Sequence, residues 1–171
     1  SYSLEQTPFR RNEQVHISEE NISEACRIWG EGLVSISVAY DRHGIEQAKH
    51  TANGFLDAAY GYSLGPVLFK PTLSGGEATF RTTKRGALSY FVGNDMDYPN
   101  DNGFATKSWL EVQFDTSEIF VEGNVAMWMG WVRLTDIKGE VTKVDKSFGY
   151  CVDADSVLRI VLHHSSLPYE P

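Results

Sequence analysis

The sequence predicts an α+β fold in which N-terminal helices pack on the concave face of a strongly curved, cone-like antiparallel sheet. In residues 18–59 apolar side chains recur at three- and four-residue spacing, which is typical of amphipathic helices. From residue 104 onward, runs rich in β-branched and apolar residues alternate with short turn sequences, which is typical of strands joined by hairpins. Helices followed by hairpin-linked strands predict that the helices gather on one face of the sheet.

The composition is that of a soluble globular protein with an acidic surface. The 171 residues are 42% hydrophobic and carry a net charge of −8, which is enough chain to bury a core. Nucleic acids and anionic membranes bind basic surfaces, so the charge argues against both as partners. No apolar run approaches the roughly 20 residues that a membrane-spanning helix needs.

The start of the chain predicts an arm rather than part of the domain. Residues 1–17 are polar and lack periodicity, whereas residues 18–171 predict one domain. The first residue is Ser1, without an initiator methionine, which would fit a chain trimmed at its start or a signal peptide removed in maturation. The cellular location therefore stays open, with export among the alternatives.

Two long helices are predicted first. Ser18 is a candidate N-cap for a helix that runs to about residue 41, and a second helix covers residues 45–59. Gly30 and Gly32 disfavour the first helix, so packing must stabilise it. The apolar face of that helix consists of Ile22, Ala25, Cys26, Trp29, Leu33, Ile36 and Tyr40.

The cysteines and the acidic loop give no support for a metal site. Cys26 and Cys151 lie far apart without a C-x-x-C motif. Two buried free thiols are the favoured interpretation, and a disulfide between them is the alternative. The aspartates of the loop at residues 93–103 do not follow the spacing of a calcium-binding loop. The sequence therefore predicts neither a metal nor a cofactor.

The remaining elements are mostly strands. Residues 67–71 and 78–82 predict a short hairpin, and residues 83–92 a short third helix. The long strands are predicted at residues 107–114 (continuing at 119–121), 125–135, 141–152 and 157–165. Residues 125–134 are apolar on both faces, which indicates a strand covered on both sides. We therefore expect the outer face of the sheet to pair with a second copy of the chain.

The last hairpin ends on His163 and His164, followed by Ser165, Ser166 and Pro168. Side chains alternate between the faces of a strand, so the two histidines are expected to point in opposite directions. They cannot then bind one metal ion together.

This closing segment and the order of elements resemble the nuclear transport factor 2-like (SnoaL-like) superfamily. The most similar type is the association domain of calcium/calmodulin-dependent protein kinase II and its bacterial stand-alone relatives. That domain also ends on histidines beside a serine and a proline. The resemblance covers about residues 18–168 and implies a cystatin-like conical roll with an internal hollow. The insert at residues 67–92 departs from it, as does Lys146 in the region where the association domain carries an arginine.

The resemblance also implies which residues line the hollow. The pocket histidine of the association domain falls on His164, so we expect His164 on the concave side and His163 on the outer side. The predicted ligand-binding residues are His164, Lys146, Tyr150, Tyr60, Lys70 and Arg81. Candidates for an acid and a base are His164, Asp57 and Tyr150. Each has a plainer alternative: Asp57 as a surface carboxylate, Lys70 and Arg81 as solvated cations, and the histidines as structural residues.

The predicted function is a small-ligand-binding or self-association domain without demonstrated chemistry. No nucleophile elbow, P-loop, dinucleotide or zincin motif is present in the sequence. The expected partners are a second copy of the chain and a small organic ligand, with an anion among the candidates. The alternative is a cofactor-independent isomerase, dehydratase or cyclase that uses a His/Asp/Tyr pocket, so whether the protein is an enzyme stays open.

Overall fold

A computed structural model describes residues 4–6 and 16–171. The predicted arm at residues 1–17 therefore lies largely outside the described residues. Within it, the Gln6 side chain exchanges two hydrogen bonds with the backbone of Leu158, at 2.9 and 3.3 Å. These bonds attach Gln6 to the sheet.

The two long helices form as predicted. Helix α1 (Glu19–His43) begins with a capping box in which the Ser18 and Asn21 side chains each bond the backbone of the other. Helix α2 (Ile45–Ala59) packs against α1. A Cβ atom on Gly32 would lie 2.3 Å from the Phe55 ring, so this glycine permits the close approach of the two helices. Packing offsets the helix propensity that the glycine lacks.

The sheet has five strands rather than four. Strands β2 (Trp109–Glu122), β3 (Val125–Asp136), β4 (Val141–Val152) and β5 (Leu158–Ser166) pair in antiparallel fashion, as predicted. Strand β1 (Leu68–Lys70) adds to the free edge of β5 in parallel. The sheet order is therefore β1-β5-β4-β3-β2, and the sheet is mixed.

The predicted hairpin at residues 67–82 was wrong in its second half. Residues 76–78 form a single turn of 3₁₀-helix, and Thr83 then caps helix α3 (Lys84–Val92). One backbone bond remains, from the amide of Arg81 to the carbonyl of Phe69 at 2.7 Å. Strand β1 instead finds its partner at β5, because the edge of that strand offers a full row of backbone groups.

Helices and sheet enclose one core around Trp29. Its ring contacts those of Phe55, Phe114, Phe148 and His163, with centroid distances of 5.7 to 6.2 Å. The α+β prediction of helices covering one face of a curved antiparallel sheet is thus confirmed for β2–β5. Cys26 and Cys151 are both free thiols, so the disulfide alternative does not form.

A β-bulge interrupts the last strand. Tyr150 pairs with Ile160, but the preceding residue Gly149 pairs with Leu162, so Val161 has no opposite partner. A bulge inserts one residue, and the alternation of faces shifts after it. The buried residues of β5 are accordingly Leu158 and Ile160 before the bulge and His163 and Ser165 after it.

The outer face of the sheet exposes apolar side chains. Met127, Met129 and Trp131 of β3 are partly to largely exposed, with Phe120 of β2 opposite Met127. No helix among the described residues is both long and apolar enough to cross a membrane.

Candidate functional site

Polar side chains are buried together where β5 ends inside the hollow. Lys146, His163 and Ser165 are each at most 2% exposed, in a region otherwise lined by aromatic rings. Buried polar groups need partners, and these groups find them in one another. We call the following residues the polar cluster: Tyr60, Thr72, Tyr90, Lys146, His163 and Ser165.

The imidazole of His163 is the centre of the cluster. Its ring lies between those of Phe69 and Phe148, each at a centroid distance of 4.6 Å, and is stacked on Phe69 and inclined by 45° to Phe148. The Tyr60 hydroxyl lies 2.7 Å from Nδ1, and Lys146 Nζ lies 2.9 Å from Nε2. Both ring nitrogens are thus bonded, and the aromatic rings on either face fix the plane of the imidazole.

Hydroxyl groups continue the cluster on the other side of Lys146. The amine donates to Ser165 Oγ at 3.1 Å, and Ser165 Oγ lies 2.6 Å from Thr72 Oγ1. Thr72 also hydrogen-bonds the hydroxyl of Tyr90, which accepts a further bond from the backbone amide of Leu73 at 3.2 Å. At the edge, Lys70 Nζ donates to the backbone oxygen of Ser165 at 2.7 Å.

Burial favours the uncharged forms of the groups in the cluster. The pKa of Lys146 falls to about 7, chiefly because the ammonium form would lose its hydration. Burial, assisted by the neighbouring Lys146, holds the pKa of His163 well below its usual range. Burial raises the pKa of Tyr90 to about 12 and that of Tyr60 well above 10. Among the described residues Lys146 forms no ion pair, so no carboxylate contacts a positive charge there.

A small cavity adjoins the cluster at Tyr90. Its volume is about 40 Å³, and it is also lined by Leu73, Phe104 and the polar residues around Asp101. A space of this size accommodates only a molecule of a few heavy atoms, since a water molecule occupies about 30 Å³ of liquid. A far larger open groove of about 1040 Å³ lies between α1 and β2, and no member of the cluster lines it.

Metal-ligating side chains are not gathered in the part of the chain that the structure describes. No group of three or more His, Cys, Asp or Glu residues there could hold a metal ion. The cluster offers hydroxyls, one amine and one imidazole whose nitrogens both have hydrogen-bonding partners.

The predicted positions of the two histidines are reversed. His163 is buried at the centre of the cluster, whereas His164 is exposed beside Ser166 Oγ. The bulge at Val161 is the physical reason, because strict alternation from Leu158 would have placed His164 inside. The expectation that His164 lines the hollow was therefore wrong.

Two other acid–base candidates also lie away from the cluster. The carboxylate of Asp57 is 69% exposed and forms an ion pair with Lys84 at 2.8 Å, so it is a surface group. Tyr150 is buried, but the partner of its hydroxyl is Cys26 Sγ at 3.7 Å. Burial raises the pKa of Tyr150 well above 10, and no bond joins it to His163.

Arg81 is a structural residue rather than a free cation at a pocket entrance. Its guanidinium forms two bonds of 2.7 Å with the carboxylate of Asp101 and further bonds to the carbonyls of Ala78 and Gly86. Both side chains of the pair are buried. These contacts use the donors that an anionic ligand would need.

The remaining predicted residues do meet in the structure. Lys146 and Tyr60 belong to the cluster, and Lys70 lies at its edge. Sequence reasoning missed Thr72, Tyr90 and Ser165 as cluster members. Ser165 follows His163 by two positions, so it shares the face of His163, and a correct face for His163 would have identified it. Thr72 and Tyr90 carried no such signal.

Comparisons with known proteins point to one family. The family model described as metal-independent carbonic anhydrase matches residues 20–167. A metal-independent carbonic anhydrase from Nostoc sp. (strain PCC 7120 / SAG 25.82 / UTEX 2576) is 51% identical over 154 residues, which are 90% of this chain and 75% of that protein. The crystal structure of an iota-carbonic anhydrase from a cyanobacterium, complexed with bicarbonate, is 48% identical with a TM-score of 0.91, and the match covers 97% of this chain and 99% of that chain.

More distant structures share the fold alone. A candidate calcium/calmodulin dependent protein kinase II association domain from Xanthomonas campestris has a TM-score of 0.60 at 18% identity, covering 95% of this chain and 99% of that one. A nuclear transport factor 2-like protein of unknown function from Pseudomonas putida KT2440 has a TM-score of 0.51 at 12% identity, with coverage of 89% and 87%. The superfamily resemblance is thus confirmed at the level of fold, and the association-domain type was too distant a choice.

These matches contradict the main functional prediction. A binding or self-association domain without chemistry was expected, but the family matched over residues 20–167 and a relative 51% identical are both described as carbonic anhydrases. The alternative of an enzyme that uses no cofactor is the better supported interpretation. The sequence held no motif that distinguishes this chemistry from that of other members of the superfamily.

Proposed function

This chain belongs to the metal-independent carbonic anhydrase family, and we propose that it catalyses the reversible hydration of carbon dioxide to bicarbonate. The observation that carries the proposal is the polar cluster itself. It places an imidazole, an amine and four hydroxyls in an otherwise apolar interior beside a cavity of about 40 Å³.

The neutral cluster suits both partners of the reaction. Carbon dioxide is small and uncharged, so the rings of Phe69 and Phe104, which pack against Tyr90 of the cluster, do not exclude it. Bicarbonate is an anion that accepts hydrogen bonds, and the hydroxyls of Thr72, Tyr90 and Ser165 can donate them. The cyanobacterial relative was solved with bicarbonate, and we propose bicarbonate as the small anionic ligand of this chain.

The hydroxyls would act where charge develops. As water adds to the carbon of carbon dioxide, a C–O bond forms, an electron pair moves onto oxygen and a proton leaves the water. Donors already oriented toward the new oxygen charge stabilise it without reorganisation, and one such donor is worth about 10²–10³-fold in rate. Thr72, in a loop, and Ser165, on β5, hydrogen-bond each other at 2.6 Å, so one of their two protons is engaged in that bond and the other is free to donate onward.

Stopped-flow measurement of carbon dioxide hydration tests the proposal. Wild-type protein dialysed against a chelator should accelerate the pH change over buffer. Ser165→Ala should reduce kcat by about 10²-fold. Ser166→Ala is the matched control, because this neighbouring hydroxyl has the exposed His164 as its one side-chain partner among the residues that the structure describes. Hydration no faster than in buffer, or equal losses in the two variants, would refute the proposal.

A further inference from the structure

We propose that Trp29, Tyr60 and His163 form a one-way series of hydrogen-bond donors that holds Lys146 as a neutral amine, and that this amine takes up the proton released when water adds to carbon dioxide. The inference rests on the proposed function for its second half. Its first half follows from the geometry alone, because each group in the series has a limited number of protons to donate.

The direction of the series is fixed at its start. An indole N–H can only donate, so Trp29 Nε1 donates to the Tyr60 hydroxyl across 2.9 Å. That hydroxyl is buried and has one other polar partner among the described residues, Nδ1 of His163 at 2.7 Å. Its single proton must therefore go to Nδ1, because the reverse arrangement would leave a buried O–H without an acceptor.

The tautomer of His163 follows from this bond. With Nδ1 accepting, the neutral ring carries its proton on Nε2, which lies 2.9 Å from Lys146 Nζ. An N–H that donates needs an acceptor, and an ammonium has no lone pair. Lys146 must therefore be a neutral amine in this arrangement. The low pKa of about 7 that burial gives Lys146 agrees with the geometric argument.

The series of donors continues from Lys146 to Ser165 and Thr72 in the same direction. It donates to Ser165 Oγ at 3.1 Å, so the Ser165 proton is free to go to Thr72 Oγ1 at 2.6 Å, and Thr72 bonds Tyr90. The Tyr90 hydroxyl already receives the Leu73 amide, which leaves its own proton to point into the small cavity. The series thus ends on a donor directed at whatever occupies that cavity.

Proton uptake then balances the reaction. Water, carbon dioxide and the neutral amine become bicarbonate and an ammonium. For this step the amine rotates about its Cε–Nζ bond, so that its lone pair turns from His163 Nε2 to Ser165, and the Ser165 hydroxyl turns its proton from Thr72 to Nζ. The Ser165 proton then moves to Nζ while the Ser165 oxygen takes the proton released by the water. The ammonium and the protonated Nε2 of His163 are both donors and face each other. This arrangement disfavours the ammonium and promotes return of its proton to solvent. While bicarbonate is bound, its negative charge offsets this repulsion.

The charges around the amine come from several elements. Asp145 on β4 raises the pKa of Lys146, and Lys70 on β1 lowers it. His163 and His164 on β5 form the remaining basic neighbours, and His163 itself stays neutral because its own pKa is depressed. The nearby phenols Tyr60, Tyr90 and Tyr150 ionise only far above neutral pH. Lys146 is thus the group of the cluster that titrates near neutrality.

Nitrogen-15 NMR tests the first half without reference to activity. In protein labelled at lysine and histidine, at about pH 8.5 and so above the Lys146 pKa of about 7, His163 should carry its proton on Nε2 and Lys146 should give an amine signal. Variants at each position assign the resonances. A proton on Nδ1, or an ammonium signal for Lys146, would overturn the proposal.

A pH–rate profile tests the second half. Tyr60→Phe removes the donor to Nδ1, so the His163 ring can carry its proton on Nδ1 and accept at Nε2 from the Lys146 ammonium. The ammonium is then stabilised and the pKa of Lys146 rises. The acid limb of the hydration rate should therefore move up by about one pH unit. Tyr62→Phe is the matched control, because the Tyr62 ring stacks on Tyr60 at 5.9 Å while its hydroxyl, within the described part of the chain, bonds the Arg81 carbonyl alone. Its acid limb should not move. An unchanged limb in a folded Tyr60→Phe protein would overturn the proposal.

The two proposals fail in different ways. An amine signal for Lys146 in a protein that does not hydrate carbon dioxide refutes the function and leaves the donor series standing. Hydration by a protein whose Lys146 is an ammonium throughout the active pH range refutes the donor series and leaves the function standing.

Discussion

The imidazole of His163 lies nearly parallel to the ring of Phe69, with centroids 4.6 Å apart and planes inclined by 15°. These two residues are opposite each other across the parallel pairing of β1 and β5. The short edge strand therefore provides one wall of the histidine site. Because the ring faces are covered by Phe69 and Phe148, only the two nitrogen edges can interact with polar groups.

The two adjacent histidines should differ sharply in their effect on activity. His163→Ala removes the central member of the cluster and should lower kcat for carbon dioxide hydration by about 10²–10⁴-fold. His164→Ala changes an exposed side chain and should leave kcat within a factor of two of wild type, a difference of only about 0.4 kcal/mol. Stopped-flow kinetics on both variants, with circular dichroism to verify folding, measures the contrast. A large loss in His164→Ala would contradict the assigned faces.

Lys146 should make stability rise with pH. The amine is neutral in the folded protein above about pH 7 but remains protonated in the unfolded chain up to its ordinary pKa of 10.5. The unfolded state therefore binds more protons in this window, and the free energy of unfolding should gain about 1.4 kcal/mol per pH unit from this group. Urea unfolding at pH 7, 8 and 9 measures the slope. The range ends at pH 9 because the Cys26 thiol, whose pKa burial raises to about 11 in the folded protein, has an ordinary pKa of 9.0 in the unfolded chain, and its ionisation there opposes the slope.

Lys146→Met is the comparison for that slope. The variant lacks the titrating group, so its free energy of unfolding should rise less with pH over the same range. Parallel pH dependences for the two proteins would mean that Lys146 is protonated in the folded state.

The buried pair of Arg81 and Asp101 should be essential for stability. Arg81→Met leaves the carboxylate buried without its cation and should cost about 3–5 kcal/mol of unfolding free energy. The exposed Arg85, paired with Asp95 and Asp97, provides the matched control. Arg85→Met should cost much less, because solvent screens an exposed ion pair. Equal losses in denaturant unfolding would argue against the structural role of Arg81.

The exposed apolar stripe on β3 should mediate self-association. Met129 is 58% exposed and Trp131 is 37% exposed on the outer sheet face, where apolar area favours an interface. Wild type should sediment as a dimer or larger assembly at micromolar concentration, and Met129→Glu should shift it toward the monomer. Lys138→Glu, in the β3–β4 turn, should not. A wild-type monomer in analytical ultracentrifugation would refute this expectation.

Most of the fold followed from local pattern. The capping residues and apolar spacing of α1 and the hairpin strands β2 to β5 are set by neighbours in sequence, so they could be predicted and are confirmed. Strand β1 and its parallel partner could not be paired from sequence, because Phe69 and His163 meet only in the folded sheet. The same holds for the turn that replaces the second strand of the predicted hairpin.

The site was predicted only in part for a related reason. Lys146 was placed in the hollow because β4 alternates faces without interruption up to that residue. His163 was placed outside because no residue in the sequence marks the bulge at Val161. Thr72 and Tyr90 lie in a loop and on α3, and the contacts that bring them to Ser165 are long-range.

The unpaired Val161 determines which face of the sheet each later residue of β5 points to. If the strand lost that one residue, the pleat would turn His164 and Ser166 inward and carry His163 and Ser165 to the surface. The sequence would still contain every residue of the cluster, yet the bonds from Tyr60, Lys146 and Thr72 to His163 and Ser165 could not form. In this protein a change of strand length by one position is therefore equivalent to losing two residues of the polar cluster at once.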